Sequence, residues 1–511
     1  MMLPAAQISQ APVVQCGADV PSAKSASSPP APCKNGRPST GSKAQHHQAQ
    51  DERPSPIVVI PSPIGGLAEP ASHGPQPNNV SPSIEPPVQN YVDGVPYLWT
   101  PGPLFSLPDV AQVSMMQAAG GSDYMRGAPD GTLQVVTRTP PRAFTADVSA
   151  TYGNYGTVGA SGYVAGGLAS NLTASLAGQY HQQFDGFGTN LYNGKDVQDG
   201  WNVATRGKLH WTPGPDTTID LEADYYRFRA GNPAIRNTGL SLLGTTAPGG
   251  AYDVDSEIQP DIQSRYGGAS LVIKQALDSM DLTSTSAYRE GRLAVAIDAD
   301  TTEQDILSIE QHQMLRQASQ DLKLSSQAGA PVSWALGLSY LHSTSGYDPV
   351  IASGAFFAGP NTLYATSKLD SYAAYGHVSA PLSPTTTARI GLRYTIDSRA
   401  ISQSQTETVG DVVSYVDTPQ SEAHTFHGLT GDIGVEQRLS SVLTGYVTYD
   451  HAQQSGTLLP NTFPALTIKP ETLDAFRAGF KAVAGRGAFV ANLSAFLNDY
   501  TNMQAMQRVE G

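Results

Sequence analysis

From Arg142 to the end of the chain, apolar and polar residues alternate with period two, and this restricts the fold more than any other feature of the sequence. Successive side chains of a β-strand point to opposite faces, so a sustained period of two means strands with one apolar and one wet face. In "TTIDLEADYYRF", Ile219, Leu221, Ala223 and Tyr225 share one face, and Asp220, Glu222, Asp224 and Tyr226 share the other. In "ARIGLRY", Ala388, Ile390, Leu392 and Tyr394 oppose Arg389, Gly391 and Arg393. Val203, Thr205, Gly207, Leu209 and Trp211 likewise oppose Arg206, Lys208 and His210, and Val332, Trp334, Leu336, Leu338 and Tyr340 face away from small and polar neighbours.

The connections between these runs are unequal. Tight Pro/Gly turns such as 212–217 and 380–387 are followed by long polar stretches at 229–259, 344–367 and 400–422. Short turns on one rim and long loops on the other are the layout of an outer-membrane barrel, with the short ones periplasmic. Runs of about ten residues, the length of a tilted span, number roughly fifteen. A soluble all-β sandwich is the competing reading, but it hides its apolar faces in a core and uses shorter strands. The expected fold is therefore all-β, an antiparallel transmembrane β-barrel whose closure satisfies backbone groups that lipid cannot.

Composition narrows the function. Only 14% of the 511 residues are charged, 40% are hydrophobic, and the net charge is −14. An acidic chain without clustered Lys and Arg is not built to bind nucleic acid. No window reaches the ~18 apolar residues of a spanning helix. The N-terminus has no basic segment followed by an apolar core, and so no recognisable signal peptide. Cys16 and Cys33, the only cysteines, form no metal or disulfide framework.

Three regions are expected. Residues 1–80 are rich in Pro and Ser and are expected to be disordered. Residues 81–141 form a small domain of short strands, with Asp93-Gly94 and Asp130-Gly131 as turns. Residues 142–511 form the barrel. No phosphate loop, nucleophile elbow, zinc-protease or C-x-x-C motif is present, so nothing points to an enzyme, a cofactor or a metal centre. "DADTTEQD" places Asp298 and Asp300 at calcium-loop spacing, but Glu303 stands where such a loop needs Gly, and the segment reads as solvated. Asp220, Glu222 and Asp224 read as a hydrated lumen wall or a contact with the small domain.

Over residues 83–507 the chain resembles the TonB-dependent outer-membrane receptors of the iron-complex, or siderophore, type. "NYVDGVPY" (Tyr91, Asp93, Gly94, Val95) is similar to a plug segment of that family. "LPDVAQVSMM" is similar to the strand that follows, and "DGTLQVVTRTP" (Gly131, Thr137) to the segment that closes the plug. "QDLKLSS", residues 371–399 and "KPETLDAFRAGFKA" with "FLNDYTNMQ" resemble recurrent barrel segments. "MQAAGGSDYM" departs from the family's LRGPQGTLYG, with Gln117, Ala118 and Ala119 in place of its Arg and Gly-Pro.

The resemblance implies a barrel of about 22 strands, of which some fifteen are present here, with a partial N-terminal plug. The sequence is thus expected to be truncated at both ends. It also implies a monomer in outer-membrane lipid that takes up a small metal chelate, an iron chelate being the expected ligand, and is driven by the TonB energy-transducing complex. The segment Ile57, Val58, Val59 and Ile60 is similar to the TonB box. Candidate ligand contacts are the inward Arg389 and Arg393 and the loop aromatics Tyr252, Phe356, Phe357 and Tyr364. A passive porin and a non-functional receptor remnant are the alternatives.

Overall fold

The computed structural model describes residues 58–61, 68–71, 82–86, 88–99, 107–116, 126, 129, 131–231, 246, 248–460, 464–484 and 489–504. Near the N-terminus, β1 (Val58–Pro61) and β2 (Ala68–Ala71) form an antiparallel pair. Ile57, Gln117, Ala118, Ala119, Asp130 and most of the region expected to be disordered lie outside the described residues.

A four-stranded sheet follows. It consists of β3 (Gln89–Val92), β4 (Val95–Tyr97), β5 (Val110–Met116) and β6 (Thr132–Thr137), in the order β4-β3-β6-β5. β3 and β6 run parallel and the other pairs antiparallel. Asp93 and Gly94 both take positive φ (47° and 85°), the twisted two-residue turn that joins β3 to β4. Gly131 also has positive φ (99°) at the entry to β6.

The rest is one large antiparallel sheet with two small hairpins on its connections. Its first strands are β7 (Thr145–Gly153), β8 (Thr157–Ala169) and β9 (Leu172–Gln183). The hairpin β10 (Gly188–Asn190) and β11 (Lys195–Val197) comes next, then β12 (Gly200–Trp211), β13 (Thr217–Ala230), β14 (Asp261–Ala276) and β15 (Met280–Asp298). β16 (Ser308–Ser326), β17 (Ser333–Ser353), β18 (Asn361–Ser383), β19 (Thr386–Val409), β20 (Val412–Arg438) and β21 (Leu443–Gln454) continue the sheet. The hairpin β22 (Thr457–Leu459) and β23 (Leu466–Ile468) precedes the last strands, β24 (Glu471–Ala484) and β25 (Phe489–Thr501). Fifteen strands pair with their neighbours in sequence order from β7 to β25, as the count of amphipathic runs anticipates.

The alternation sets which face is which. Leu209, Leu221, Leu336, Leu338, Ile390 and Leu392 are exposed on the outer face, while Arg206, Lys208, Glu222, Asp224 and Arg393 are buried on the inner one. This inversion of a soluble protein is what a lipid-facing wall requires. The inner apolar core is shared. Val92, Val95, Tyr97, Leu98, Leu107 and Val135 of the small sheet pack with Tyr163, Tyr226, Ile262, Tyr266, Leu315 and Leu341 of the wall.

Two expected loops are corrected. In 344–367 the strands continue to Ser353 and resume at Asn361, and in 400–422 they continue to Val409 and resume at Val412. Polar sequence stays paired there because a hydrogen-bonded ladder is as well satisfied in water as in lipid. The 27-residue β20 therefore runs far beyond the ~10 residues that a span needs.

Candidate functional site

The chemistry of the molecule is concentrated where the small sheet meets the inner wall, in three clusters. The first is built on the β3–β4 turn. Asp93 Oδ1 accepts from the Thr137 backbone N–H at 2.9 Å, and its Oδ2 accepts from the Thr137 hydroxyl at 2.5 Å. From the wall, Lys208 Nζ reaches Asp93 Oδ2 at 2.7 Å and Thr137 Oγ1 at 2.5 Å. Lys208 is also 3.5 Å from Glu222, which lies 3.3 Å from Arg206 Nε, and Arg206 Nη1 donates to Asp109 at 3.0 Å. Burial opposes ionisation of Asp93, but the Lys208 charge and the hydrogen bonds from Lys208 and Thr137 outweigh it and hold the carboxyl below its usual range. At Asp109 burial wins over the Arg206 and Lys208 charges and moves the carboxyl upward.

The second cluster surrounds Tyr97 at the end of β4. Its hydroxyl donates to Asp224 Oδ2 at 2.8 Å, and the Arg289 guanidinium lies 3.7 Å from the ring centroid while ion-pairing with the same Asp224. Burial pushes the Tyr97 phenol well above its ordinary value, so it remains a neutral donor. Gln317 clamps the next peptide, donating to the Pro96 carbonyl at 2.6 Å and accepting from the Leu98 N–H at 3.3 Å.

Arg126 is the centre of the third. It donates to Asp397 Oδ2 at 2.8 Å, Ser371 Oγ at 2.8 Å and Glu85 Oε1 at 3.2 Å, while its backbone N–H donates to the Tyr91 hydroxyl at 2.8 Å. Arg399 of the wall ion-pairs with the same Glu85. A polar cavity opens beside this cluster, lined by Arg126, Asp397, Phe426, His427, Gln453 and Ser455.

The sequence-derived candidates fall into separate places. Asp93, Gly94 and Thr137 belong to the first cluster, and Tyr91 touches the third. Val95 is core. Arg393 is buried, donates to Ser339 and Thr395, and lies 5.5 Å from the Tyr375 ring centroid; Arg389 is half-exposed and pairs with Asp432 at 3.3 Å. Tyr252 stands exposed on the long-loop rim in an aromatic group with Phe187 (6.2 Å), which contacts Tyr155 (4.8 Å). Phe356 is exposed and Phe357 half-exposed in the β17–β18 connection. Tyr364 alternates with the buried Leu363 and Ala365 and so lies on the outer face. Val58, Val59 and Ile60 are on β1.

Arg126, Gln317 and Arg289 carry much of the interface without having stood out in the sequence. The one available signal was the inward position of Gln317 and Arg289 in their strands' alternation. The carboxylates of the three clusters are engaged by cations and hydroxyls, an arrangement that holds two bodies together and offers no activated nucleophile.

A wide, outward-apolar sheet whose inner face is ion-paired to a small N-terminal sheet is the wall and plug of an outer-membrane β-barrel, of which the described residues form fifteen strands with β7 and β25 as unpaired edges. Residues 210–510 match the family described as TonB dependent receptor-like, beta-barrel, and the chain belongs to that family. The family's members are transporters, not enzymes, and reside in the bacterial outer membrane. The fold is similar to that of the ferric yersiniabactin uptake receptor FyuA from Yersinia pestis, at 15% identity and TM-score 0.72 over 88% of this chain and 69% of that one. The siderophore receptor PiuA from Acinetobacter baumannii matches at 12% identity and TM-score 0.64, over 83% and 67% of the two chains. The alcaligin outer membrane receptor FauA from Bordetella pertussis matches at 13% and 0.56, over 81% and 62%. The present chain thus spans 62–69% of the length of these relatives.

Proposed function

We propose that this protein is a receptor for uptake of an iron–siderophore complex or a similarly scarce solute, driven by the TonB complex. The observation that carries the reading is the small N-terminal unit held against the inner wall by Lys208 on Asp93, Arg206 on Asp109, Arg289 over the Tyr97 ring and Asp397 on Arg126. An obstruction held by paired charges has to be displaced by work, which suits an energised transporter better than a passive pore. The similar solved structures include a ferric yersiniabactin uptake receptor and a siderophore receptor. On this reading Ile57 to Ile60 contact TonB, and Tyr252, Phe356 and Phe357 meet the chelate at the outer rim. Tyr364, Arg389 and Arg393 are weaker candidates, because the first is on the outer face and the other two are engaged within the wall.

The test is uptake of radiolabelled iron by cells that lack their own receptors and carry this chain. Ferric catecholate, hydroxamate and citrate complexes would be supplied in turn, with and without TonB. Saturable uptake of one class that disappears without TonB is expected. Uptake that persists without TonB would make the protein a passive pore, and no uptake of any chelate would overturn the iron reading.

A further inference from the structure

The segment Asp298–Asp305, which in sequence reads as a solvated loop, is not solvated at its start. Asp298 and Asp300 are 4% and 3% exposed, and Ser256, Thr302 and Ser308 beside them are also buried. Glu257, from the β13–β14 connection, joins the two aspartates, and one carboxylate oxygen from each of the three lies within 4.8 Å of the others. Among the described residues, no Lys, Arg or His forms an ion pair with any of them. Buried carboxylates without a countercharge are costly.

The hydrogen bonds are arranged so that oxygens are left over. Asp298 Oδ1 accepts from the N–H groups of Asp300 and Thr301, at 3.0 and 2.8 Å, and this shapes the turn. Its buried Oδ2 has no hydrogen-bond partner. Glu257 Oε1 accepts from Ser308 Oγ at 2.5 Å, and its buried Oε2 is likewise unpartnered. Asp300 Oδ1 accepts from the N–H and the hydroxyl of Thr302, while its Oδ2 accepts from the Leu307 N–H alone, at 2.7 Å, and retains a lone pair.

We propose that Glu257, Asp298 and Asp300 form a calcium site. An all-oxygen, multiply anionic donor set selects a hard divalent cation, and oxygens bound to one Ca²⁺ at about 2.3–2.6 Å stand no more than about 5 Å apart. The smaller Mg²⁺ demands tighter, near-octahedral geometry. The ion binds the β15–β16 turn to the β13–β14 connection. That connection is held in turn to the β10–β11 hairpin by Asn190, which donates to the Ser256 carbonyl at 2.9 Å and accepts from the Ser256 N–H at 3.1 Å. The β17–β18 connection leans on the same turn through Phe356 N–H to the Ile306 carbonyl, at 3.2 Å. One cation therefore secures the connections that carry Tyr252 and Phe356.

Equilibrium dialysis of the full chain in detergent against radiolabelled calcium, after chelator treatment, tests this. One saturable site is expected, with Kd on the order of 10⁻⁶–10⁻⁴ M for three carboxylates in a semi-rigid frame. Asp298→Asn retains the oxygen that shapes the turn but removes the charge, and Glu257→Gln does the same on the opposite connection; each weakens binding at least about tenfold. Glu303→Gln, an exposed position in the same turn, leaves it unchanged. No saturable binding by the wild-type chain, wild-type affinity in both Asp298→Asn and Glu257→Gln, or displacement by equimolar Mg²⁺ would each overturn the assignment.

Discussion

The Lys208 ammonium on the inner face of β12 stands 2.7 Å from Asp93 Oδ2 in the β3–β4 turn, 115 residues away in the chain. The same nitrogen donates to Thr137 at the end of β6. One cation thus joins the two central strands of the plug sheet to the wall.

Lys208→Met removes that cation and leaves Asp93 without its countercharge. Breaking a buried pair from one side costs about 3–5 kcal/mol, whereas removing both partners costs much less. Urea unfolding followed by Trp fluorescence is expected to show the plug loosened by that amount in Lys208→Met and largely restored in Asp93→Asn/Lys208→Met. Equal destabilisation of the single and double variants would contradict the pairing.

The lowered pKa of Asp93 carries a pH dependence of definite sign. Its folded-state value lies below the unfolded one, near 3.9. The stability it contributes is therefore complete above that unfolded value and lost as pH falls through the folded one. Asp109 shifts in the opposite direction, so the two are separated by comparing variants. The stability gap between wild type and Asp93→Asn should be constant from pH 7 to about pH 5 and close in stronger acid. A gap that does not narrow at all as the pH falls below the unfolded value would show that Asp93 acts by shape alone.

Arg126 bridges the plug to Asp397 and Ser371 on two wall strands, and the Arg fork matches a carboxylate in a way that Lys does not. Arg126→Ala is expected to cost about 3–5 kcal/mol and to raise ion leakage through the protein in planar bilayers. Arg126→Lys should fall between. Conductance of Arg126→Ala indistinguishable from wild type would place the obstruction elsewhere.

Leu392 and Arg393 are neighbours on β19, one exposed on the outer face and the other buried on the inner. A cation on a lipid face costs about 2–4 kcal/mol near mid-bilayer. Leu392→Arg should therefore reduce the folded, membrane-inserted fraction severalfold, while Leu392→Phe should not. Normal insertion of Leu392→Arg would mean that this part of β19 stands clear of lipid.

Much of the fold is legible in local sequence. The strand count, the faces of β12, β13, β17 and β19, and the Asp93-Gly94 turn all follow from periodicity or turn chemistry over a few residues. The lengths of β17 to β20 were not legible, because polar strand and polar loop have the same composition once lipid no longer selects for apolar residues. Asp298 and Asp300 showed a suggestive spacing, but their burial depends on Glu257 and Ser308 from other segments.

The sequence by itself determined that this chain forms a wall with an apolar outer and a polar inner face, because the two-residue period is a property of each strand alone. Only the tertiary structure decided which inward charges meet which partners. Arg126 meets Asp397 across 271 residues, and no local pattern marks either for the other. Such pairs exist because packing the sheet around the plug removes water from both, and a charge that has lost its water is stable only opposite another.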